Sequence, residues 1–432
     1  MARRWLKFFG FMLMLLPWHA HALLTIEITG GSEAALPIAI VPFGEEGVIP
    51  PEDISEIIRN NLQSSGRFAP LAKSDLISRP HEQSQVNFAD WRLLRSEGLV
   101  IGKVTSQDGE NYQVQFQLFD VYRGTQMAGK RYQVPVSGLR NLGHQISDLI
   151  YEALTGDVGV FSTRLAFVTV QRTADGARRF ALQISDADGA NPRTILQSAQ
   201  PIMSPRWSPD GEQLAYVSFE NGNSEVFVQQ LRSGDRRSIA AFDGVNSAPS
   251  WSPDGKRLAL TLSRTGSPEL YILELSNGEL TRVTHNSQSI DTEPVWMPNG
   301  RELVFTSDRG GRPQIYKIPV DGGRATRLTF EGNYNASPDI SPDGRKMAMV
   351  HAVGGRYYIA VQDLRSGAVQ VLTEQGRDES PSFAPNGRMI LYATEQNGRG
   401  VLAAVSVDGR IHQRLAESGI QVREPAWSPL RK

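Results

Sequence analysis

The chain has 432 residues, 45 of them basic and 46 acidic, with 40% apolar residues, 21% charged residues and no cysteine. Near-balanced charge excludes a nucleic-acid binder working through a bulk positive field, and the lack of cysteine excludes disulfides, thiolate metal sites and thiol redox chemistry. A chain of this length buries enough apolar surface to hold itself together without staples, and it suggests two domains.

In chain order, residues 1–22 read as a secretory signal peptide. Arg3, Arg4 and Lys7 precede an apolar stretch at 8–16, and Ala20 and Ala22 stand at the cleavage positions. That stretch is shorter than the ~20 apolar residues a bilayer span needs, and no later segment approaches it. The three basic residues fall inside the leader, so residues 23–432 keep 42 basic against 46 acidic residues, a net charge of −4. In residues 23–35, Leu24, Ile26 and Ile28 alternate with Thr25, Glu27 and Thr29 ahead of Gly30-Gly31-Ser32, a strand-competent segment followed by a hinge. From the residues alone it is either an ordinary first strand of the next domain or a mobile tail.

Residues 36–156 read as a small α/β domain with a mixed sheet. Expected strands lie at 36–43, 68–71, 99–104, 112–120 and 126–133, and expected helices at 51–64, 88–96 and 139–154. A linker is placed at 157–163. From residue 164 onward the pattern changes. Six times the chain repeats Pro, any residue, a large apolar residue and a Ser-Pro-Asp-Gly-like turn, with anchors Trp207, Trp251, Trp296, Ile340, Phe383 and Trp427 spaced 43 to 45 residues apart. That period is what one four-stranded propeller blade consumes. The first second-strand run, at Leu165, has no anchor before it, and the last anchor, Trp427, has no second strand after it. The expected architecture is therefore a two-domain chain, an N-terminal α/β domain followed by an all-β six-bladed propeller at 164–432, its ring closed by the C-terminal strand.

These features together resemble the TolB family of the Tol-Pal system. The resemblance covers essentially the whole chain and is most specific at Thr292-Glu293-Pro294-Val295-Trp296, at residues 263–267, at residues 311–317 and at Pro425-Ala426-Trp427-Ser428-Pro429. Ile340 departs from the aromatic anchor, and Asn299 and Asn386 replace the turn aspartate with a residue of similar backbone habit. The resemblance implies a non-enzymatic periplasmic adaptor of a Gram-negative envelope. It would bind the lipoprotein Pal through the propeller and TolA through the N-terminal segment, supporting outer-membrane integrity and constriction at division. Contacts to other outer-membrane proteins are further expectations, as are a monomeric state and attachment to membranes only through partners. For the N-terminal segment the resemblance favours the tail, with Leu23, Leu24, Thr25, Ile26, Glu27, Ile28 and Thr29 adding as a strand to TolA.

The residues themselves point away from chemistry. There is no Gly-x-Ser-x-Gly elbow, and His81, His144, His285, His351 and His412 show no pair at metal-ligand spacing. Gly310-Gly311 and Gly354-Gly355 lack a following helix and read as turns. The alternative to an adaptor is a propeller lyase or carbohydrate-binding module with a small ligand in the channel.

If the anchor strand lines the channel, the loops leading into each anchor strand open on one face. They carry Asp243, Asp291, Glu293, Glu331, Glu374, Asp378, Glu379, Glu417 and Glu424 against Arg377 and Arg423, an acidic mouth suited to a basic partner segment. Arg172, Arg178, Arg264, Arg309, Arg312, Arg356 and Arg399 would form a basic outer rim. With the resemblance, Pal contacts are expected at Val245, Asn246, Ser247, Ala248, His285, Asp291, Thr292, Glu293, Asn335, Ala336, Asp378, Glu379, Arg423 and Glu424. No cofactor is required, and calcium held by the mouth carboxylates is a secondary expectation.

Overall fold

The computed structural model describes residues 25–28, 35–416 and 420–431. Ala20, Ala22, Leu23, Leu24 and Thr29, named above, lie outside them, as does Glu417.

The N-terminal domain is a mixed sheet in the order Phe68–Pro70, Leu36–Ile40, Gly98–Ser106, Asn111–Asp120, Thr125–Pro135. The first three run parallel and the rest antiparallel. The first strand ends at Ile40 rather than 43, because Pro42 has no N–H to continue the ladder. Helix α1 (Ile54–Ser64) starts three residues later than the pattern suggests, where the Asp53 carboxylate accepts the Glu56 N–H at 3.1 Å. Helix α2 (Phe88–Leu93) stops short of 96, since Arg95 takes φ 56°, outside the right-handed helix. Helix α3 (Leu139–Thr155) ends at Gly156, φ 75°, a left-handed cap. Helices α1 and α3 cover one face of the sheet with Ile58, Leu62, Ile146 and Ile150, all buried. The polar strand Gly44–Gly47, beside Gly98–Ser106, has no apolar alternation and was not expected.

Beyond it stand six four-stranded antiparallel blades. Blade 1 has the order Gln421–Trp427, Arg164–Arg172, Arg178–Asp186, Arg193–Ser198, so the C-terminal strand closes the ring from the inside. Blades 2 to 6 start with Ile202–Trp207, Asn246–Trp251, Asp291–Trp296, Asn335–Ile340 and Glu379–Phe383. Apolar clusters fill all six joints between neighbouring blades. Three anchors also staple blades together: the indole N–H groups of Trp207, Trp251 and Trp296 donate to the carbonyls of Ala426, Arg206 and Ser250 at 3.0–3.1 Å. The Trp427 indole turns instead to the Thr163 hydroxyl, 2.8 Å away, at the end of the interdomain segment.

Thr25–Ile28 matches neither alternative left open by the residues. It is neither a first strand of the α/β domain nor a free tail, but a fifth, outermost strand of blade 6, antiparallel to His412–Ala416 with Thr25 opposite Ala416 and Ile28 opposite Gln413. An outer blade strand leaves a row of backbone groups unpaired, and a four-residue extended segment satisfies them.

The domains meet on the propeller face that carries the Ser-Pro-Asp-Gly turns. The interdomain segment is pinned at both sides, with Asp148 accepting the N–H groups of Phe161 and Ser162 at 2.6 and 3.1 Å, and Asn386 donating to the Val158 carbonyl at 2.8 Å. Arg388 pairs with Asp157, and Gln413 donates to the Ser64 carbonyl.

Candidate functional site

The site is built from one residue per blade. In each inner strand the ladder slips by one step, and at the slip Ser204, Ala248, Glu293, Ser337, Ser380 and Glu424 all adopt φ between 47° and 54°. Each stands immediately before a proline, where ring crowding disfavours helical conformations, and none is glycine. Non-glycine residues in this region cost roughly 1–3 kcal/mol each and persist only where the surroundings over-determine them. All six line a narrow channel through the ring, ≈50 Å³ in volume. The bulge turns the bulge residue toward the axis, and the anchor three positions later returns to the joint between blades.

Polar groups then fill the channel. The Glu293 carboxylate accepts from Ser337 N–H and hydroxyl at 2.8 and 2.7 Å and from the Thr306 hydroxyl at 2.7 Å. Glu424 accepts from Ser204 N–H at 3.3 Å, the same kind of link to the next blade, here from blade 1 to blade 2. Burial, then the neighbouring charge of Glu379, pushes the Glu424 carboxyl up. Asp339, on the inner strand of blade 5, accepts from Phe383 N–H at 2.7 Å, and burial pushes its carboxyl up to about 6 against the opposing charge of Arg206. Arg206 and Asp339 occupy the unassigned position of the repeated phrase, between the proline and the anchor. Nothing in the repeated phrase marks them, although alternation along the strand places that position on the opposite side from the anchor, toward the axis.

The structure divides the expected mouth residues into three groups. Val245, His285, Glu379 and Arg423 are exposed, and Ser247 and Thr292 are half-buried. Ala248, Glu293 and Glu424 belong to the channel. Asn246, Asp291, Asn335, Ala336 and Asp378 are buried, which corrects their assignment as contacts: their side chains are not offered to a partner. The four polar ones brace the loops from beneath. Asn246 exchanges hydrogen bonds with the Phe242 backbone at 3.0 and 2.6 Å, and Asn335 donates to Gln314 and to the Glu331 carbonyl. Asp291 takes both oxygens to Arg309 at 2.8 Å, and Asp378 accepts from the hydroxyls of Thr373 and Thr394. The mouth is therefore less acidic than the loop sequences suggest, since Asp291 and Asp378 are used internally and Arg309 leaves the rim. Between blades 1, 2 and 6 a cleft of ≈710 Å³ carries Arg172, Arg178, Arg399 and Arg423 beside Phe180 and Met203, so the mouth has an acidic centre and a basic flank.

A second cluster lies across the domain boundary, where sequence spacing has no power. His144, on α3, and Asp186 and Asp188, at the end of blade 1, bring their donor atoms within 4.8 Å of one another. Arg140 pairs with both aspartates, so its guanidinium already supplies the cation, and the group works as an interdomain ion network.

Two family profiles match the chain. Residues 24–127 match one described as TolB amino-terminal domain, and residues 151–431 match one described as TolB beta propeller domain. The chain belongs to the TolB family. The Tol-Pal system protein TolB of Nitrosococcus oceani is 63% identical over 432 residues, covering 99% of each chain. That of Methylobacillus flagellatus is 52% identical over 430 residues, 98% of each. Among solved structures, TolB from Acinetobacter baumannii is 41% identical, covers 94% of this chain and 100% of its own, and superposes with a TM-score of 0.87. Membership of the TolB family makes this chain a component of the Tol-Pal system, built as an α/β domain on a six-bladed propeller. Among the described residues, no helix is long and apolar enough to cross a membrane.

Proposed function

We propose that the chain is a non-enzymatic periplasmic adaptor that holds Pal at the propeller mouth and TolA through residues 23–29, linking envelope layers during constriction. The observation that supports this best is the bracing of the mouth. Buried Asn246, Asp291, Asn335 and Asp378 fix the loops from below, which lowers the ordering cost a partner meets on binding. The carboxylates of Glu293, Asp339 and Glu424 in the channel suit a basic side chain or a hard cation such as calcium, and the arginine flank suits acidic partner groups. Pairing with TolA requires residues 25–28 to leave the edge of blade 6, so the strand that would be donated is already in strand form.

Calorimetric titration with the soluble domain of Pal tests the mouth. Val245→Asp and Glu379→Lys, both at exposed positions, are expected to weaken binding at least tenfold each with unchanged melting. Unaltered affinity in both would move Pal off this face.

A further inference from the structure

On the face opposite the mouth, a cavity of ≈270 Å³ lies between the two domains. Small-molecule sites favour domain interfaces. Phe161, Met389, Ile411 and Trp427 supply the apolar part of the cavity's lining. Tyr151 adds a donor. It is 6% exposed, its ring is held edge-on by Phe68 and Phe161 at 5.9 and 5.7 Å, and its hydroxyl has no hydrogen-bond partner among the described residues.

The charges around the cavity are unequal. Its acids are already matched, Asp188 by Arg140 and Asp408 by Arg410, and Arg388 is matched by Asp157. Arg67 from the N-terminal domain and Lys346 from blade 5 also line it, and neither forms an ion pair among the described residues. Two cations from opposite domains, an unpartnered phenol and an aromatic wall together select an acid group on an apolar body.

We infer that this cavity binds a small anionic amphiphile, its aromatic or short acyl body against Phe161, Met389 and Trp427 and its acid group toward Arg67, Lys346 and the Tyr151 hydroxyl. Such a ligand touches both domains at once and therefore stiffens the joint between them.

The probe is 8-anilinonaphthalene-1-sulfonate titrated into the full folded chain, read by fluorescence. One saturable site per chain is expected. Met389→Trp, which fills the cavity, should abolish it, as should Val407→Phe. Arg67→Glu with Lys346→Glu should weaken it at least tenfold, and so should replacing the probe by the uncharged N-phenyl-1-naphthylamine. Circular dichroism and melting establish that each variant is folded, and if the filling variants are not, the charge pair and the neutral probe decide. Absence of saturable binding overturns the inference, as does a site that survives cavity filling or keeps its affinity within twofold after charge reversal.

Discussion

Asp339→Asn isolates the cost of a carboxylate in the channel. Burial holds the Asp339 carboxyl at about 6 instead of its ordinary 3.8, and a displacement of that size costs up to about 3 kcal/mol once the group is ionised. Residual solvent contact through the channel screens this, so about 1–2 kcal/mol is expected. The sign follows from proton binding. The folded chain holds the Asp339 proton more tightly than the unfolded chain, so the stabilising contribution is complete below pH 3.8 and is lost as pH rises through about 6. Asparagine keeps a carbonyl to accept Phe383 N–H and never ionises. Urea unfolding at pH 4, 5, 6 and 7 should therefore show the variant more stable at pH 7 and equal to the parent near pH 4, with a common m-value. A stability difference that is constant across this range, or a variant less stable at pH 7, would refute the placement of an isolated carboxylate in the channel.

Two further outcomes follow from the ring. Deleting residues 23–29 should abolish capture of TolA in a pull-down while shifting the melting temperature by no more than a few degrees, because blade 6 keeps its four strands without the outer one; a large loss of stability would mean the segment is structural. Truncation after residue 420 removes the inner strand of blade 1 and should eliminate the cooperative melt of the propeller, checked by calorimetry; a truncated chain melting at the parent temperature would contradict closure by Gln421–Trp427.

The architecture was legible because repetition averages out local ambiguity. Six anchors at one spacing, three of them followed by a turn in which a serine hydroxyl and an aspartate carboxylate cap the backbone, as Ser252 and Asp254 do, leave little alternative to blades. The unmatched ends at Leu165 and Trp427 carried the closure as well. The site was only partly legible. Asn246, Asp291, Asn335 and Asp378 read as mouth contacts because loop polarity looks the same whether a side chain points out or braces the backbone beneath; only burial separates the two. Arg206 and Asp339 were missed because the variable position of a repeat attracts no attention, although in a propeller that position is where one blade differs from the next at the axis. The His144, Asp186 and Asp188 group joins two domains, and the docking of Thr25–Ile28 joins segments nearly 390 residues apart; neither distance leaves a local signal.

Closure by the C-terminal strand also sets a schedule. The strand Arg164–Arg172 precedes its partner, Gln421–Trp427, by about 250 residues in the chain. Until that partner docks, blade 1 presents a bare, strongly apolar edge at Leu165, Ala166, Phe167 and Val168, which the finished molecule buries completely. The last strand to be made thus decides when the first blade becomes safe from other chains, and mutations that slow the arrival of residues 421–427 should appear as losses of yield before they appear as losses of stability.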